Sequence, residues 1–528
     1  IVWGVNPLYS NSVTAGSGFL GAVKRGVKII VVDPRCTPTS QHADMHLRPI
    51  PGTDGALALG MARVMITEGI YNQEYVEKYT SGFEEYKEYV MEFTPEKVEA
   101  ITGVPKEDMI AAARMMATEA PCPIQLSASP VVHNINGVQN ARAIVMLLAL
   151  TGSFGVEGGT MPPGPGRAVL KDAFMGVKKP RIHPEEDLSH EEFPAWAKLT
   201  ENEVQVTRMA DYLEGKGEYP ISTLVAFGMN HHMWPRPDRL EEALQQVDFF
   251  ADADMYMTDT AKYADILLPV QMSLEREQVS ILGLDTIFYQ GHVVEPAGEA
   301  WSDMDIITGL AEKLGFEIGG EEPIYSNEDY LRKSLTPTGL TLEEVKAAPK
   351  GIKAKKVMPG RTTEEILKVK TPTGKIEFVS EIIGSCEKEG HEGLPVYHEF
   401  REQLPMEEYP LILTTGSRKP QLFHSRTYRL PWLVGLEECP IVEVHPSDAE
   451  KLKLKDKEQV LLRTPVGSME LELSINSSCL PGAVNVYHGA ENKDINLLVD
   501  DTYLDPISGF PGYKSYCCRL EKKEETHE

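Results

Sequence analysis

The chain has 528 residues, of which 42% are hydrophobic and 25% are charged, a composition typical of a large globular protein with about three or four domains. Its apolar runs, such as residues 144–150, are far shorter than the roughly 20 residues that cross a bilayer, which argues against a membrane span. The net charge of −27 opposes binding to a phosphate backbone, so nucleic acid is excluded as the expected partner.

Residues 1–162 alternate between strand and helix patterns, which predicts a first α/β module. Strand patterns occupy residues 1–4, 27–32 and 123–127, and helix patterns occupy residues 18–25, 54–66, 105–117 and 138–150. The helix predicted from residue 54 begins at Asp54, a residue type that caps helices. This order of elements predicts a doubly wound parallel sheet.

The remaining chain divides into three parts by its pattern. Residues 163–220 are rich in Pro, Gly and charge and are predicted to form an irregular connector. Residues 221–400 are predicted to form a second α/β module, with strands near 223–230, 248–253 and 265–269 and a charged insertion at 320–400. Residues 401–528 contain strands at 411–414, 459–463, 469–473 and 483–486 without long helices between them, which predicts a C-terminal β-barrel.

The first candidate site combines Gly4 and Asn6 with Asp33, which ends the next predicted strand. In a parallel sheet these residues would share the crevice at the carboxyl ends of the strands. Gly4 would let the backbone approach a ligand, the Asn6 amide could bind it, and Asp33 could accept a hydrogen bond from a ribose or a guanine edge. A tight turn followed by an unrelated aspartate remains the alternative. The pattern does not match G-x-G-x-x-G, which disfavours a nicotinamide site.

A second candidate is Gly52 with Asp54, at the start of a predicted helix. Taken alone, Asp54 is better explained as a helix cap. The same helix N-terminus could also receive a phosphate or a ribose hydroxyl.

A third candidate repeats the first in the second module. Gly228 and Asn230 form another G-x-N turn, and Asp254 with Thr258 follows at a similar distance. Two such turns, one in each α/β module, predict two copies of one nucleotide-binding device.

The histidines and cysteines give weaker signals. His133 precedes a predicted helix and could be a packed loop residue. His231 and His232 are adjacent, so their side chains are not expected to converge on one ion, and they are interpreted as loop residues beside a phosphate. The seven cysteines contain no C-x-x-C, so no metal site is predicted within this chain.

Seven short motifs follow one another along the chain, and their order resembles that of the molybdopterin oxidoreductases of the prokaryotic dimethyl sulfoxide reductase family. They are W-G-x-N-P from Trp3, V-x-D-P-R from Val31, P-G-T-D-G-A-L from Pro51, L-T-G-x-x-G-x-x-G-G from Leu150, G-x-N from Gly228, D-x-x-x-T-x-T-x-x-x-A-D-x-x-L-P from Asp254 and D-P-x-S-G-x-P-x-Y-K from Asp505.

The resemblance implies a bis-molybdopterin guanine dinucleotide cofactor with molybdenum or tungsten, one dinucleotide for each α/β module, and a double-psi barrel. Carried over by position, one dinucleotide would be held by Gly4, Asn6, Asp33, Arg35, Gly52 and Asp54, and the other by Gly228, Asn230, Asp254 and Thr258. In the barrel the matching residues are Thr415, Gly416, Ser417, Arg418, His424, Ser425, Asn496, Tyr513 and Lys514. His133 matches a histidine near the metal centre.

The resemblance also implies parts that would precede Ile1. A small domain with a [4Fe–4S] cluster and the side chain that ligates the metal are both expected upstream, so the catalytic ligand is not named. An export signal would lie there too, so the compartment stays open, although the lack of an evident cysteine pairing is compatible with the cytoplasm. The implied partners are a small-molecule substrate and an iron–sulfur electron-transfer subunit.

The expected activity is a two-electron redox reaction, or oxygen-atom or hydroxyl transfer, on a small substrate. A non-redox hydratase or hydroxytransferase of the same family is the alternative suggested by residues 505–515. A non-catalytic electron-transfer scaffold is a second alternative, opposed by the completeness of both nucleotide motifs. A generic thiamine- or nicotinamide-binding enzyme would leave the barrel unexplained.

Overall fold

The first module is built on a four-stranded parallel sheet. The computed structural model describes residues 1–127, 131–162, 166–170, 187–200, 203–319, 322–386, 390–415, 417, 430–434, 440–489 and 494–523. The sheet order is β3-β2-β1-β5, and a further strand, β4, lies apart from it. These strands are β1 (Val2–Trp3), β2 (Ile30–Val32), β3 (Met45–Leu47), β4 (Thr80–Ser81) and β5 (Gln125–Leu126).

Eight helices within the described residues accompany this sheet, and the two with the most buried residues, α3 and α8, form the centre of the module's core. They are α1 (Pro7–Ser10), α2 (Ala15–Lys24), α3 (Asp54–Thr67), α4 (Gln73–Tyr79), α5 (Phe83–Val90), α6 (Pro95–Thr102), α7 (Lys106–Thr118) and α8 (Gly137–Thr151). The helices α3 and α8 approach closely because Gly55 has no side chain: a Cβ there would lie 2.4 Å from the Asn140 Oδ1 atom. The Gly55 amide instead donates to that oxygen at 3.1 Å.

The second module has a smaller parallel sheet with the order β6-β7-β8. Its strands are β6 (Thr223–Phe227), β7 (Phe249–Asp254) and β8 (Ile266–Pro269), preceded by α9 (Pro194–Thr200) and α10 (Met209–Leu213) and interrupted by α11 (Pro237–Leu244). Helix α11 packs Leu240 and Leu244 against Ala226 and Phe250, so it covers one face of the sheet.

The segment that follows contains a sheet that the sequence did not predict. Strands β9 (Gln278–Leu282), β10 (Thr286–Gln290) and β11 (Ile352–Lys353) are antiparallel, and α12 (Asp303–Leu314), α13 (Asn327–Leu335) and α14 (Leu342–Lys346) lie between β10 and β11 in the chain. After α15 (Thr363–Ile366) the chain returns to the first module, where β12 (Ile376–Glu377) pairs with β4. Phe378 is fully buried there and stacks on Tyr86 with ring centroids 4.6 Å apart. Helix α16 (Glu381–Gly384) comes next.

The last part is a closed six-stranded barrel with the order β13-β17-β14-β16-β15-β18. Its elements are β13 (Leu411–Thr414), α17 (Pro431–Val434), β14 (Ile441–Val444), α18 (Pro446–Leu452), β15 (Gln459–Thr464), β16 (Gly467–Ile475), β17 (Ala483–Val486) and β18 (Tyr516–Lys522). Two of its strand pairs, β13 with β17 and β14 with β16, are parallel and the other four are antiparallel, and alternating residues such as Leu471 and Leu473 fill its interior.

The predicted fold class is confirmed, because two parallel-sheet modules precede a closed C-terminal barrel. None of the described helices is long and apolar enough to pass through a bilayer.

Candidate functional site

The first candidate site lies where β1 and β2 end. Gly4 follows β1 with φ +62°, in the left-handed region that glycine tolerates, and its amide donates to the Val32 carbonyl at 2.8 Å. The Asp33 Oδ1 atom accepts from the Arg35 amide at 2.8 Å. The Asn6 Oδ1 atom accepts from the Thr39 hydroxyl at 2.7 Å. We call Gly4, Asn6, Asp33 and Thr39 the first turn site.

The candidate site of the second module repeats this arrangement where β6 and β7 end. Gly228 has φ +61°, and its amide donates to the Ala253 carbonyl at 2.9 Å. The Asp254 Oδ1 atom accepts from the Tyr256 amide at 3.1 Å, and the Asn230 Oδ1 atom accepts from the His232 amide at 3.2 Å. We call Gly228, Asn230, Asp254 and Thr260 the second turn site.

The supporting bonds match as well. Thr39 and Thr260 each follow the site aspartate by six residues, and their hydroxyls accept from the amides of Leu8 at 3.3 Å and His231 at 3.1 Å. In both modules an aspartate carboxylate also accepts a hydrogen bond from a backbone amide near the start of the second strand. Asp44 accepts from the Ile29 amide and Asp265 from the Phe250 amide, each at 2.8 Å. The hydrogen bonds of the glycine and the aspartate therefore recur in both modules, whereas the asparagine accepts from a hydroxyl in the first and from a backbone amide in the second.

A cavity of about 670 Å³ opens between the first turn site and the barrel. Its walls carry Gly4, Asn6, Asp33, Arg35 and Asp54 from the first module. From the barrel and the chain beside it come Thr414, Ser417, Glu443, Asn476, Asn485 and Lys514. The structure thus brings the predicted residues of the first site together with barrel residues that are distant in sequence.

In the lining of this cavity the Arg35 side chain contacts Glu443, a residue that was not predicted from the sequence. The Arg35 Nη1 atom donates to the Glu443 carboxylate at 2.6 Å. Glu443 also accepts from the side-chain amides of Asn476 at 2.8 Å and Asn485 at 2.9 Å. Although burial raises the pKa of Glu443, these bonds and the Arg35 charge outweigh it and hold the pKa below its usual range. The signal in the sequence was a glutamate within the apolar strand β14.

Burial sets the ionisation of the charged groups in the cavity. It raises the pKa of Asp33 to about 6, despite the bond from the Arg35 amide. It lowers the pKa of Lys514 to about 8, with a further lowering from the Arg35 charge. The Lys514 Nζ atom donates to the Ser417 hydroxyl at 3.0 Å. A buried cation and a buried carboxylate with displaced pKa values are typical of functional sites.

Gly52 and Asp54 lie at the start of α3, and both have structural partners. Asp54 accepts from the Trp3 indole at 2.7 Å, and burial raises its pKa to about 6. A Cβ on Gly52, which has φ +93°, would lie 3.0 Å from the Ser515 Cβ atom and 3.1 Å from the Phe400 ring. Gly52 is therefore required for close packing of α3 against the barrel, and the Asp54 side chain lines the cavity.

The barrel reaches the second module through Tyr513, whose hydroxyl donates to the Met233 carbonyl at 2.8 Å. The Asn496 side chain donates to the His232 carbonyl at 2.7 Å. The hydroxyl of Thr258, in the turn that follows Asp254, accepts from the Ala261 amide at 3.0 Å. Gly416, Arg418, His424 and Ser425 lie outside the described residues.

Several buried polar atoms of these segments have no hydrogen-bond partner among the described residues. They include His133 Nδ1, Thr415 Oγ1, Asn496 Oδ1 and Ser515 Oγ. Buried polar groups are normally paired, so these atoms fit a ligand with a dense polar edge such as a pterin.

His133 is packed beside this barrel segment. Its ring stacks on Phe510 at 5.3 Å and meets the edge of Tyr513 at 5.8 Å, and its carbonyl accepts from the Lys514 amide at 2.9 Å. Burial, and then the charge of Lys514, lower the pKa of His133 to about 4, so the imidazole is neutral near pH 7.

Comparison with known proteins agrees with this geometry. A family model described as molybdopterin oxidoreductase matches residues 1–313, and one described as a molybdopterin dinucleotide binding domain matches residues 411–517. An acetylene hydratase of Syntrophotalea acetylenica is 30% identical over 97% of this chain and 75% of that protein. The F420-dependent formate dehydrogenase subunit alpha of Methanocaldococcus jannaschii is 28% identical over 95% of this chain and 73% of that protein. A solved acetylene hydratase from Pelobacter acetylenicus superposes with a TM-score of 0.85 at 27% identity, covering 99% of this chain and 77% of that one.

Proposed function

The chain belongs to the molybdopterin oxidoreductase family, and we propose that its two turn sites hold the two guanine nucleotide ends of a bis-molybdopterin cofactor that carries molybdenum or tungsten. It is a catalytic subunit of this family, because the relatives match along nearly its whole length. The observation that carries the assignment of residues is the repetition of one hydrogen-bonded turn in both modules.

Each turn site offers the groups that a guanosine diphosphate needs. The glycine lets the backbone approach the ligand, and the turn ends beside a carboxylate that can accept two hydrogen bonds from ribose hydroxyls or a guanine edge. Asp33 and Asp254 have this role in the proposal, and Arg35 adds a fixed positive charge at the first site. Lys514, in its protonated form, neutralises part of the charge of the phosphates or the pterin.

When bound, such a cofactor supplies a two-electron change coupled to transfer of an atom or a hydride, while the protein supplies binding, orientation and electrostatics. His133 stays neutral at pH 7 and can hold or accept a hydrogen bond at Nδ1 without adding charge. Thr415, Asn496 and Ser515 offer further hydrogen-bonding atoms to the pterin edges. The barrel thereby fixes the orientation of the cofactor, and the nucleotide sites fix its position.

The reaction we propose is a two-electron redox conversion of a small substrate, with electrons passing through a [4Fe–4S] cluster and an iron–sulfur partner subunit. A non-redox hydration is the second candidate, because an acetylene hydratase is among the relatives and is also a structural match over 99% of the chain. Reduction of a redox dye by substrate would support the first candidate, and turnover without any dye or electron donor would support the second.

The assignment of the turn sites is tested by removing one carboxylate from each. Denaturing the purified protein should release molybdenum or tungsten with about two guanine nucleotides for each metal atom, as a bis-dinucleotide requires. Asp33→Asn and Asp254→Asn should each weaken retention, since a charge-assisted hydrogen bond contributes roughly 1.5–3 kcal/mol, or about 10- to 150-fold in affinity.

Two exposed aspartates provide matched controls, Asp108→Asn on α7 and Asp248→Asn before β7. Both control variants should keep the metal and nucleotide content of the parent. Unchanged content in Asp33→Asn and Asp254→Asn would contradict the assigned roles, and absence of guanine nucleotide from the parent would contradict the proposal as a whole.

A further inference from the structure

A second cluster of possible ligands lies beside the second turn site. His231 and His232 begin a short 3-10 helix, His231–Met233, directly after Asn230. Their ring centroids are 4.1 Å apart, and the ring planes are tilted by 34°. One ligand atom from each histidine and one from Glu241 lie within 4.8 Å of one another. Contrary to the sequence-based expectation, the two adjacent side chains converge.

The hydrogen bonds orient both rings in the same way. The His231 Nδ1 atom is 2.8 Å from the Thr260 hydroxyl, and the His232 Nδ1 atom is 2.9 Å from the Asp494 carboxylate. Histidines that ligate a metal through one ring nitrogen usually bond an oxygen through the other, which fixes the ring. Here both Nδ1 atoms have such an oxygen, so the Nε2 atoms are the ones that a shared ion would take.

Both Nε2 atoms face a carboxylate. The His231 Nε2 atom is 2.9 Å from Glu241 Oε1, and the His232 Nε2 atom is 3.4 Å from Asp259 Oδ2. The converging set is His231, His232 and Glu241, which offers two imidazole nitrogens and one carboxylate oxygen, and a water molecule would complete a tetrahedral zinc site. Zinc–ligand distances near 2.0–2.2 Å place neighbouring ligand atoms about 3.3–3.6 Å apart, so His231 Nε2 and Glu241 Oε1 would separate slightly and the wider gaps in the set would close.

The charge around the cluster also favours a cation. Three carboxylates, those of Glu241, Asp259 and Asp494, surround the two rings, whereas Lys262 is the cation that pairs with Asp259. These carboxylates outnumber the neighbouring lysine, so the cluster carries negative charge that a divalent ion would offset. His231 is fully buried, so this charge is only partly exposed to water.

We propose that His231, His232 and Glu241 bind a zinc ion that is separate from the cofactor metal. The ion would join the turn after β6, which carries Asn230, to helix α11, and the contact between His231 Nδ1 and Thr260 would link it to the turn after β7. Through Asp494 it would also tie these segments to the barrel. Its role is structural: it holds the second turn site in one conformation.

The test uses the purified holoenzyme after dialysis against EDTA. Zn²⁺ alone is titrated against a chromophoric chelator, with Mg²⁺ in a parallel titration as the control for non-specific binding to an acidic protein. We expect about one tightly bound zinc per chain and no competition from millimolar Mg²⁺. Weak binding that Mg²⁺ abolishes would overturn the proposal.

Glu241→Gln is the diagnostic variant, because Glu241 is partly exposed on α11 and its removal should leave the fold intact. It should weaken Zn²⁺ binding by at least about tenfold, since one anionic ligand is lost. Glu242→Gln makes the same charge change on the next, exposed residue of the helix and should bind zinc like the parent. Equal zinc affinity in the two variants would overturn the proposal. Zinc affinity is measured independently of molybdenum, tungsten and guanine nucleotide, so failure here is distinguishable from failure of the cofactor assignment.

Discussion

The ion pair between Arg35 and Glu443 joins the first module to the barrel, and Arg35→Met should expose its contribution. Glu443 has only 7% of its side chain exposed, and it would keep the two asparagine donors but lose its countercharge. Breaking a buried pair costs about 3–5 kcal/mol. Because Arg35 is 26% exposed, water screens part of this effect, and we expect a loss of about 2–3 kcal/mol in the free energy of unfolding.

Urea unfolding of the parent, Arg35→Met, Glu443→Gln and the double variant measures this coupling. The double variant should be more stable than Arg35→Met, because no unpaired carboxylate remains, and the cycle should give a coupling of about 2 kcal/mol. The matched control is Arg114→Met, which breaks an exposed pair with Glu68 at 2.7 Å and should change the stability far less than Arg35→Met.

The pH dependence gives a second measurement of the same pair. In the parent the pKa of Glu443 is lowered, so its stabilising contribution is present above the unfolded pKa and is lost as the pH falls through the folded pKa. In Arg35→Met the buried carboxylate has no countercharge, so its pKa should rise, and acid should relieve the penalty. The stability difference between parent and variant should therefore shrink from pH 8 towards pH 5. A constant difference, or additive effects in the cycle, would refute the reasoning.

Three further outcomes are expected in unfolding experiments. Gly52→Ala should cost about 2–4 kcal/mol, because it combines a positive φ with contacts near 3 Å, whereas Gly69→Ala, with positive φ but open space, should cost only about 1–2 kcal/mol. Since burial lowers the pKa of Lys514 to about 8, the unfolded chain binds the extra proton, so stability should rise between pH 8 and 10.5, and Lys514→Met should abolish the rise. Tyr513→Phe removes one hydrogen bond between the barrel and the second module and should lower the melting temperature by an amount equivalent to about 1 kcal/mol.

Four helices and three strands of the first module could be predicted from local pattern, whereas strand β3 and helices α4, α5 and α6 were not predicted. The helix expected at residues 54–66 spans Asp54–Thr67, and the one expected at 138–150 spans Gly137–Thr151. Both are strongly apolar and largely buried, so local and tertiary preferences agree. The antiparallel strands at Gln278–Leu282 and Thr286–Gln290 were missed because their mixed polar sequence has no clean alternation.

The candidate site was predictable only in part, because half of it comes from distant segments. The glycine turns and their aspartates could be recognised from short spacing within each module. Glu443 stands out locally only as a glutamate within an apolar strand, and its place in the site, like that of Asn476 and Asn485, depends on the closure of the barrel against Arg35. The convergence of His231 and His232 likewise depends on the bonds to Thr260 and Asp494 that hold each ring.

The pairing of Ile376–Glu377 with Thr80–Ser81 has a consequence for synthesis of the protein. The first module cannot close its interior until Phe378 has left the ribosome, roughly three hundred residues after Tyr86, on which it stacks. At about 5–20 residues per second, the nascent first module would wait for tens of seconds with one side of its core uncovered. Chaperone engagement during translation should therefore end when the segment around Phe378 emerges.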